Sequence, residues 1–296
     1  MVSLLDFFAD ITNPSLPFLP RAIMVAMLAA VVCGIVGVHV VLRGMAFIGD
    51  CVSHAVFPGI ALAFLFGGSL LLGGAIAGIA VAVLVAMFAA KQQIKEDSLI
   101  GMLMAAAFAV GVVIVSRVNG YTAQLSTFLF GSITGVSTVD VLVVAATAVA
   151  VIVVCVVMHH WFVVVAVDRE SARSLGVPVA FVDVVLYVVV AIAVVVSVQT
   201  VGNILVLALL ITPAATARLV SNSVAAMLVI APVIGAVGSF FGVYFAWSID
   251  VPTGAAIVLS LTAVFFLVWL VGPRGLIGRR LVRFQPWRRR QQSAAA

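Results

Sequence analysis

Long apolar runs almost free of charge recur along this chain, near residues 20–42, 46–66, 70–90, 99–117, 139–158, 181–200, 203–219, 225–246 and 254–271. A run of about 18 or more such residues is long enough to cross the hydrocarbon core of a bilayer as a helix. The composition leaves no room for a water-soluble fold: 65% of the 296 residues are hydrophobic and only 8% are charged, against about 25% charged in an ordinary soluble domain. A membrane β-barrel would instead show alternating segments of about ten residues, and the sequence has none. The predicted fold is therefore all-α, a polytopic bundle of eight or nine transmembrane helices in one domain, residues 20–272.

Charge placement orients the bundle. The net charge of +5 is concentrated in the arginines between positions 274 and 290; without them acids outnumber bases. By the positive-inside rule the tail, 273–296, is cytoplasmic. Beside a membrane span such a run reads as contact with anionic lipid headgroups rather than with nucleic acid. Counting back places Arg218, segment 159–180, the loop KQQIKED (91–97) and Arg43 on the same side, and the loop 247–254 on the other. Nine spans leave the N-terminal segment, 1–19, extracytoplasmic or interfacial; eight follow if one weak segment only dips in. The first ten residues carry two acids and no base, unlike a secretory signal peptide. Segment 120–137, polar and glycine-rich, is compatible with a loop, a surface helix or a re-entrant piece. Cys33, Cys51 and Cys155 lie scattered in apolar stretches and read as small hydrophobes, with no disulfide expected. Gly74 with Gly78 and Gly238 with Gly242 have the spacing that lets membrane helices approach closely.

Chemistry is concentrated in residues 42–64, LRGMAFIGDCVSHAVFPGIALAF. Asp50 and His54 sit inside an apolar span, where ionisable groups are costly enough to imply function by default. Their i, i+4 spacing puts both on one helix face, within reach of one cation, and carboxylate plus imidazole suits Mn, Fe and Zn. The competing readings are a buried pair that joins two helices, and a helix cap formed by Asp50. Pro58 and Gly59 follow within a turn and are expected to interrupt the helix there, a recurring device at transporter substrate sites. A second interruption is expected at Gly202–Asn203 and at Thr212–Pro213. Pro213 removes a backbone hydrogen bond, so that a freed carbonyl or Thr212 lines a path, or the helix is simply kinked.

The most charged internal stretch is VAVDRESARSLGVPVAF, 165–181. Asp168 is placed to cap a short helix with Glu170 in its first turn, Gly176 to end it and Pro178 to block its continuation. Asp168, Glu170, Arg173 and Gly176 are thus candidates for docking a soluble partner; a solvated connector is the plainer alternative. The only lysines, Lys91 and Lys95, belong to no phosphate loop, so the chain has no ATP site of that kind. HExxH, GxSxG and CxxC signatures are also absent, which makes an enzyme the weaker class. His159–His160–Trp161 is expected where a span meets the membrane interface.

These stretches together resemble the metal-type ABC-3 permeases, the membrane subunits of bacterial manganese, zinc and iron importers. LRGMAFIGDCVSHAVFPGIALAF is similar to that family's pattern of an arginine, a GD dipeptide, SHA and a PG pair in one helix. VGNILVLALLITPAATARLV (201–220) is similar to its second signature, and DRESARSLGVPV to the cytoplasmic coupling segment between them. The resemblance runs from about residue 20 to 272. It implies an importer permease fold, two copies of the chain around a translocation path, two cytoplasmic ATPase subunits and an extracytoplasmic metal-binding protein, all at the bacterial inner membrane. It further implies that Asp50 and His54 contact the transported metal, that Pro58, Thr212 and Pro213 are candidates for lining the path, and that no cofactor is permanently bound. His39 stands where the family has an apolar residue, and the arginine-rich tail is longer than the pattern needs. Two other classes stay open: a permease for cobalamin or iron chelates, which needs a wide path without such a pair, and a stand-alone secondary carrier, which needs its own ion-coupling residues.

Overall fold

In hydrocarbon a backbone amide has no water to turn to, so an apolar run that crosses a bilayer satisfies its polar groups within itself, as a helix. The computed structural model of the chain, described for residues 3–89, 96–116 and 135–272, is helical throughout, with no strand among the described residues. Its elements are α1 (Leu4–Thr12), α2 (Phe18–Leu42), α3 (Ile48–Leu65), α4 (Leu70–Ala89), α5 (Glu96–Val115) and α6 (Thr138–Val167), followed by α7 (Arg169–Ser174), α8 (Val179–Val201), α9 (Asn203–Val220), α10 (Val224–Ile249) and α11 (Thr253–Val271). Eight of these helices, α2 to α6, α8, α10 and α11, are long and apolar enough to cross a membrane, and α9 adds a shorter apolar stretch, Val206–Val220. The expected count of eight or nine spans is met. Most of the charged loop 91–97, nearly all of segment 120–137 and the arginine-rich tail lie outside the described residues.

Three boundaries differ from the sequence expectation. Residues 1–19 contain α1, which the apolar-run reading passed over because it is too short to cross a bilayer. Its N-terminus is closed by a reciprocal cap: Ser3 Oγ accepts from the Asp6 amide, and the Asp6 carboxylate accepts from the Ser3 amide and hydroxyl. Phe7 is buried edge-on against Phe240 and Tyr244, and Trp247 Nε1 donates to Asp10 at 2.9 Å, so α1 is fastened to the end of α10. Second, α6 does not stop near residue 158 but runs to Val167. His159 and His160 do not break it because Phe162 and Val165 continue its buried face. Third, Pro58 does not interrupt α3, which is continuous on both sides of it. The break expected at Gly202 is present: α8 and α9 are separated by that residue alone, at φ +91°, a conformation that only glycine adopts without strain; at Thr212–Pro213, by contrast, α9 runs on unbroken.

The helices sort into an inner and an outer set. The spanning windows of α2, α3 and α8 are 67%, 61% and 67% buried, whereas that of α5 is 17% buried. Lipid tails give helices no hydrophobic reason to associate, so close backbone approach at small residues holds such bundles together. A Cβ at Gly37 would stand 1.8 Å from the Leu210 carbonyl oxygen, and one at Gly59 2.2 Å from that of Gly73, which fixes α2 against α9 and α3 against α4. The paired glycines read from the sequence do the same work: Gly74 and Gly78 face Val56 on α3, and Gly238 and Gly242 face Leu261 and Ile257 on α11. All three cysteines are free and buried; Cys33 Sγ lies 3.2 Å from Ser197 Oγ.

Candidate metal site

The site begins at a tight reversal. Arg43 closes α2, Gly44 takes φ +72°, and α3 starts at Ile48 with Asp50 in its first turn. No side-chain cap hydrogen bond forms at this helix end, so Asp50 is not spent as a cap. His54 Nε2 lies 3.6 Å from Asp50 Oδ1, and each side chain is 30% accessible. That separation brings opposite partial charges together but exceeds a hydrogen bond, leaving lone pairs on both groups for a third party. Pro58, four residues beyond His54, has no amide to offer the His54 carbonyl, so the helix exposes an extra acceptor on the turn that bears the imidazole.

Neighbouring helices shape this face. His54 meets the edge of Phe108 on α5 at 5.3 Å, and Phe108 stacks on Phe57 at 6.0 Å. Phe57 in turn occupies the space left by Gly111, where a Cβ would stand 2.3 Å from its ring. Behind Asp50, Leu207 and Leu210 of α9 fill the place of the missing side chain at Gly49. Further along α9, Thr212 is half-buried, its carbonyl accepting from the Thr216 hydroxyl at 2.7 Å, and Pro213 is buried. Among the described residues no group of three or more His, Cys, Asp and Glu gathers in a way that could hold a metal. Asp50 and His54 thus stand as a pair, with no third such side chain gathered beside them among the described residues.

The helix expected at 165–181 is present as α7. Asp168 accepts from the amides of Glu170 at 2.9 Å and Ser171 at 3.3 Å, and from the Ser171 hydroxyl. These bonds, the Ser171 hydroxyl first, hold its carboxyl below the usual aspartate range. Gly176, at φ +81°, ends the helix with its amide on the Arg173 carbonyl at 3.0 Å. Ala172 is buried beneath, while Glu170 and Arg173 point outward.

A charged residue the sequence reading passed over sits below. Asp183, in the second turn of α8, is 2% exposed. One of its oxygens accepts from Arg43 Nη1 at 2.5 Å, and the other from Arg169 Nη2. The signal was available as a lone carboxylate in the apolar run VAFVDVVLYVVV, to which the rule that singled out Asp50 applies equally. Beside this triad His39 is buried, its ring 5.0 Å from Phe162 and 6.0 Å from His159. His159 therefore faces inward rather than joining an interfacial belt; His160 and Trp161 remain exposed.

An all-helical, multi-pass membrane protein with an aspartate–histidine pair on an inner helix and a capped helix outside the spans has the construction of a transporter permease. The chain belongs to the ABC 3 transport family, whose match covers residues 15–272. It is 34% identical to the manganese transport system membrane protein MntC of Halalkalibacterium halodurans over 93% of each chain. To the chelated iron transport system membrane protein YfeD of Yersinia pestis it is 36% identical over 89% of each chain. Among solved structures, PsaBC from Streptococcus pneumoniae in complex with Fab matches it with a TM-score of 0.83 at 30% identity, covering 94% of this chain and 99% of that one.

Proposed function

We propose that this chain is the permease subunit of a bacterial inner-membrane ABC importer for a divalent transition metal ion, manganese, zinc or iron. The observation that carries the reading is the Asp50–His54 pair: one helical turn apart, 3.6 Å between Nε2 and Oδ1, accessible, and set in the buried helix α3. Relatives named for manganese and chelated iron transport agree with it, and this donor pair suits zinc equally. A face with two open ligands fits a bare ion rather than a chelate whose positions are already filled. Two copies of the chain, related by a two-fold axis, bring four such ligands to a shared path. Pro58, Thr212 and Pro213 line it, and binding stays weak enough for release.

Energy comes from separate cytoplasmic ATPase subunits, since the chain has no phosphate loop, and Asp168, Glu170, Arg173 and Gly176 form the surface they grip. An extracytoplasmic metal-binding protein delivers the ion, and the basic C-terminal tail lies in the cytoplasm. No cofactor is held permanently; the metal is cargo. The test is uptake of radioactive Mn(II), Zn(II) and Fe(II) by membrane vesicles containing the assembled complex. Wild-type vesicles are expected to accumulate at least one ion with ATP, and Asp50→Asn and His54→Ala vesicles none of it. Wild-type uptake by both variants would refute the site, and ATP-independent accumulation would refute the class.

A further inference from the structure

We propose that Asp183 is the positioning residue that ties the coupling helix to the metal-bearing helix, so that displacement of α7 reaches Asp50 through one shared carboxylate. The proposal rests on the reading of α7 as the ATPase docking element. Two arginines, 140 and 14 residues away in sequence, converge on this side chain. Arg43 ends α2 and is joined by residues 44–47 to α3, whose first turn carries Asp50. Arg169 is the first residue of α7, directly after its cap Asp168. Asp183 stands between them on α8 with one oxygen for each guanidinium.

The two arms are unequal, and that inequality makes the arrangement a linkage rather than a brace. The Arg43 side chain is 5% exposed, that of Arg169 30%. Both members of the Arg43–Asp183 pair are almost fully buried, and breaking a buried ion pair is strongly unfavourable, so this arm persists. Withdrawing Arg169 leaves a neutral Arg43–Asp183 pair and returns a part-exposed guanidinium toward water, so this arm can open and close as α7 moves. Phe162 of α6 lies under the Arg43 guanidinium at 5.9 Å, which keeps the persistent arm seated while the other works. A short turn held by backbone hydrogen bonds, residues 44–47, leads from the persistent arm into α3 and Asp50.

The experiment uses the complete complex, permease with its ATPase and metal-binding protein, in proteoliposomes. Uptake of Mn(II), Zn(II) and Fe(II) and ATP hydrolysis are measured together and expressed as ions moved per ATP. Asp183→Asn is expected to lower this ratio about threefold to thirtyfold while hydrolysis continues; Asp183→Glu recovers part of it, and Arg169→Lys retains more than Arg169→Ala. An assembled Asp183→Asn complex with the wild-type ratio would overturn the proposal, as would one in which hydrolysis and uptake fall in equal proportion. Should Asp183→Asn fail to assemble, Arg169→Ala decides: a lowered ratio supports the linkage and an unchanged one overturns it. Absence of wild-type uptake for all three ions would instead overturn the transport reading itself.

Discussion

At the scale of single residues, function depends on where charge is tolerated in an apolar medium. Asp50 and His54, proposed above as the ligands of the transported ion, are not hydrogen-bonded to each other. Replacing Asp50 by Asn or His54 by Ala is expected to lower uptake by more than the about 10–100-fold that loss of an outer-shell partner costs a metal site. Measured per assembled complex, such a loss separates a ligand from a residue that merely joins helices, since the latter would reduce assembly instead. The pair stands out in the sequence as an acid and an imidazole one turn apart in an apolar run, although spacing alone left a helix-joining pair or a cap equally open. Asp183 obeyed the same rule and was overlooked, its partners lying 140 and 14 residues away. No local spacing announces a pair closed by the packing of α2 on α8.

At the scale of elements, α7 is the part most completely written in local sequence: cap, acidic first turn, terminating glycine and blocking proline all lie within a dozen residues. Reversing the charges of Asp168 and Glu170 is expected to cut metal uptake by more than about tenfold through like-charge contact with a partner matched to the native signs. Hydrolysis by the bound ATPase and insertion of the permease should persist. Because hydrogen bonds hold the Asp168 carboxyl below its ordinary range, its contribution to the cap is fully present above the ordinary aspartate pKa. It is lost only as pH falls through the lower folded value. Coupling measured from neutral to mildly acidic pH is therefore expected to show no step from this residue. Between elements, a side chain at Gly242 would collide with the Ile257 backbone, where even a Cβ stands 2.5 Å from Cα. Gly242→Val is expected to cost about 1–3 kcal/mol of stability, seen as a lower Tm in detergent. Gly101→Ala, with nothing within 4 Å of the added carbon, is expected not to lower Tm, since alanine favours the helix over glycine. The small-xxx-small spacing revealed such contacts in advance, but the continuity of α3 through Pro58 and the length of α6 could not be read the same way. Proline and histidine look like punctuation in a sequence, whereas packing against neighbouring helices carries both helices through them.

For the whole molecule, the hydropathy of the runs dictated the architecture, and the sorting of helices into inner and outer sets was hidden because all of them are apolar. Purified alone, the chain is expected to hydrolyse no ATP, with activity appearing only when its ATPase subunits are added; hydrolysis that copurifies through gel filtration with the lone chain would contradict this. The length of α6 carries a further implication. Thirty residues make a rod of about 45 Å, longer than the roughly 30 Å hydrocarbon layer and comparable with the bilayer including its headgroups. The α7 platform is thus carried on a strut that reaches past the oily interior. On the docking role proposed for α7, a partner that grips it does so at the level of the headgroups and not within the oily interior.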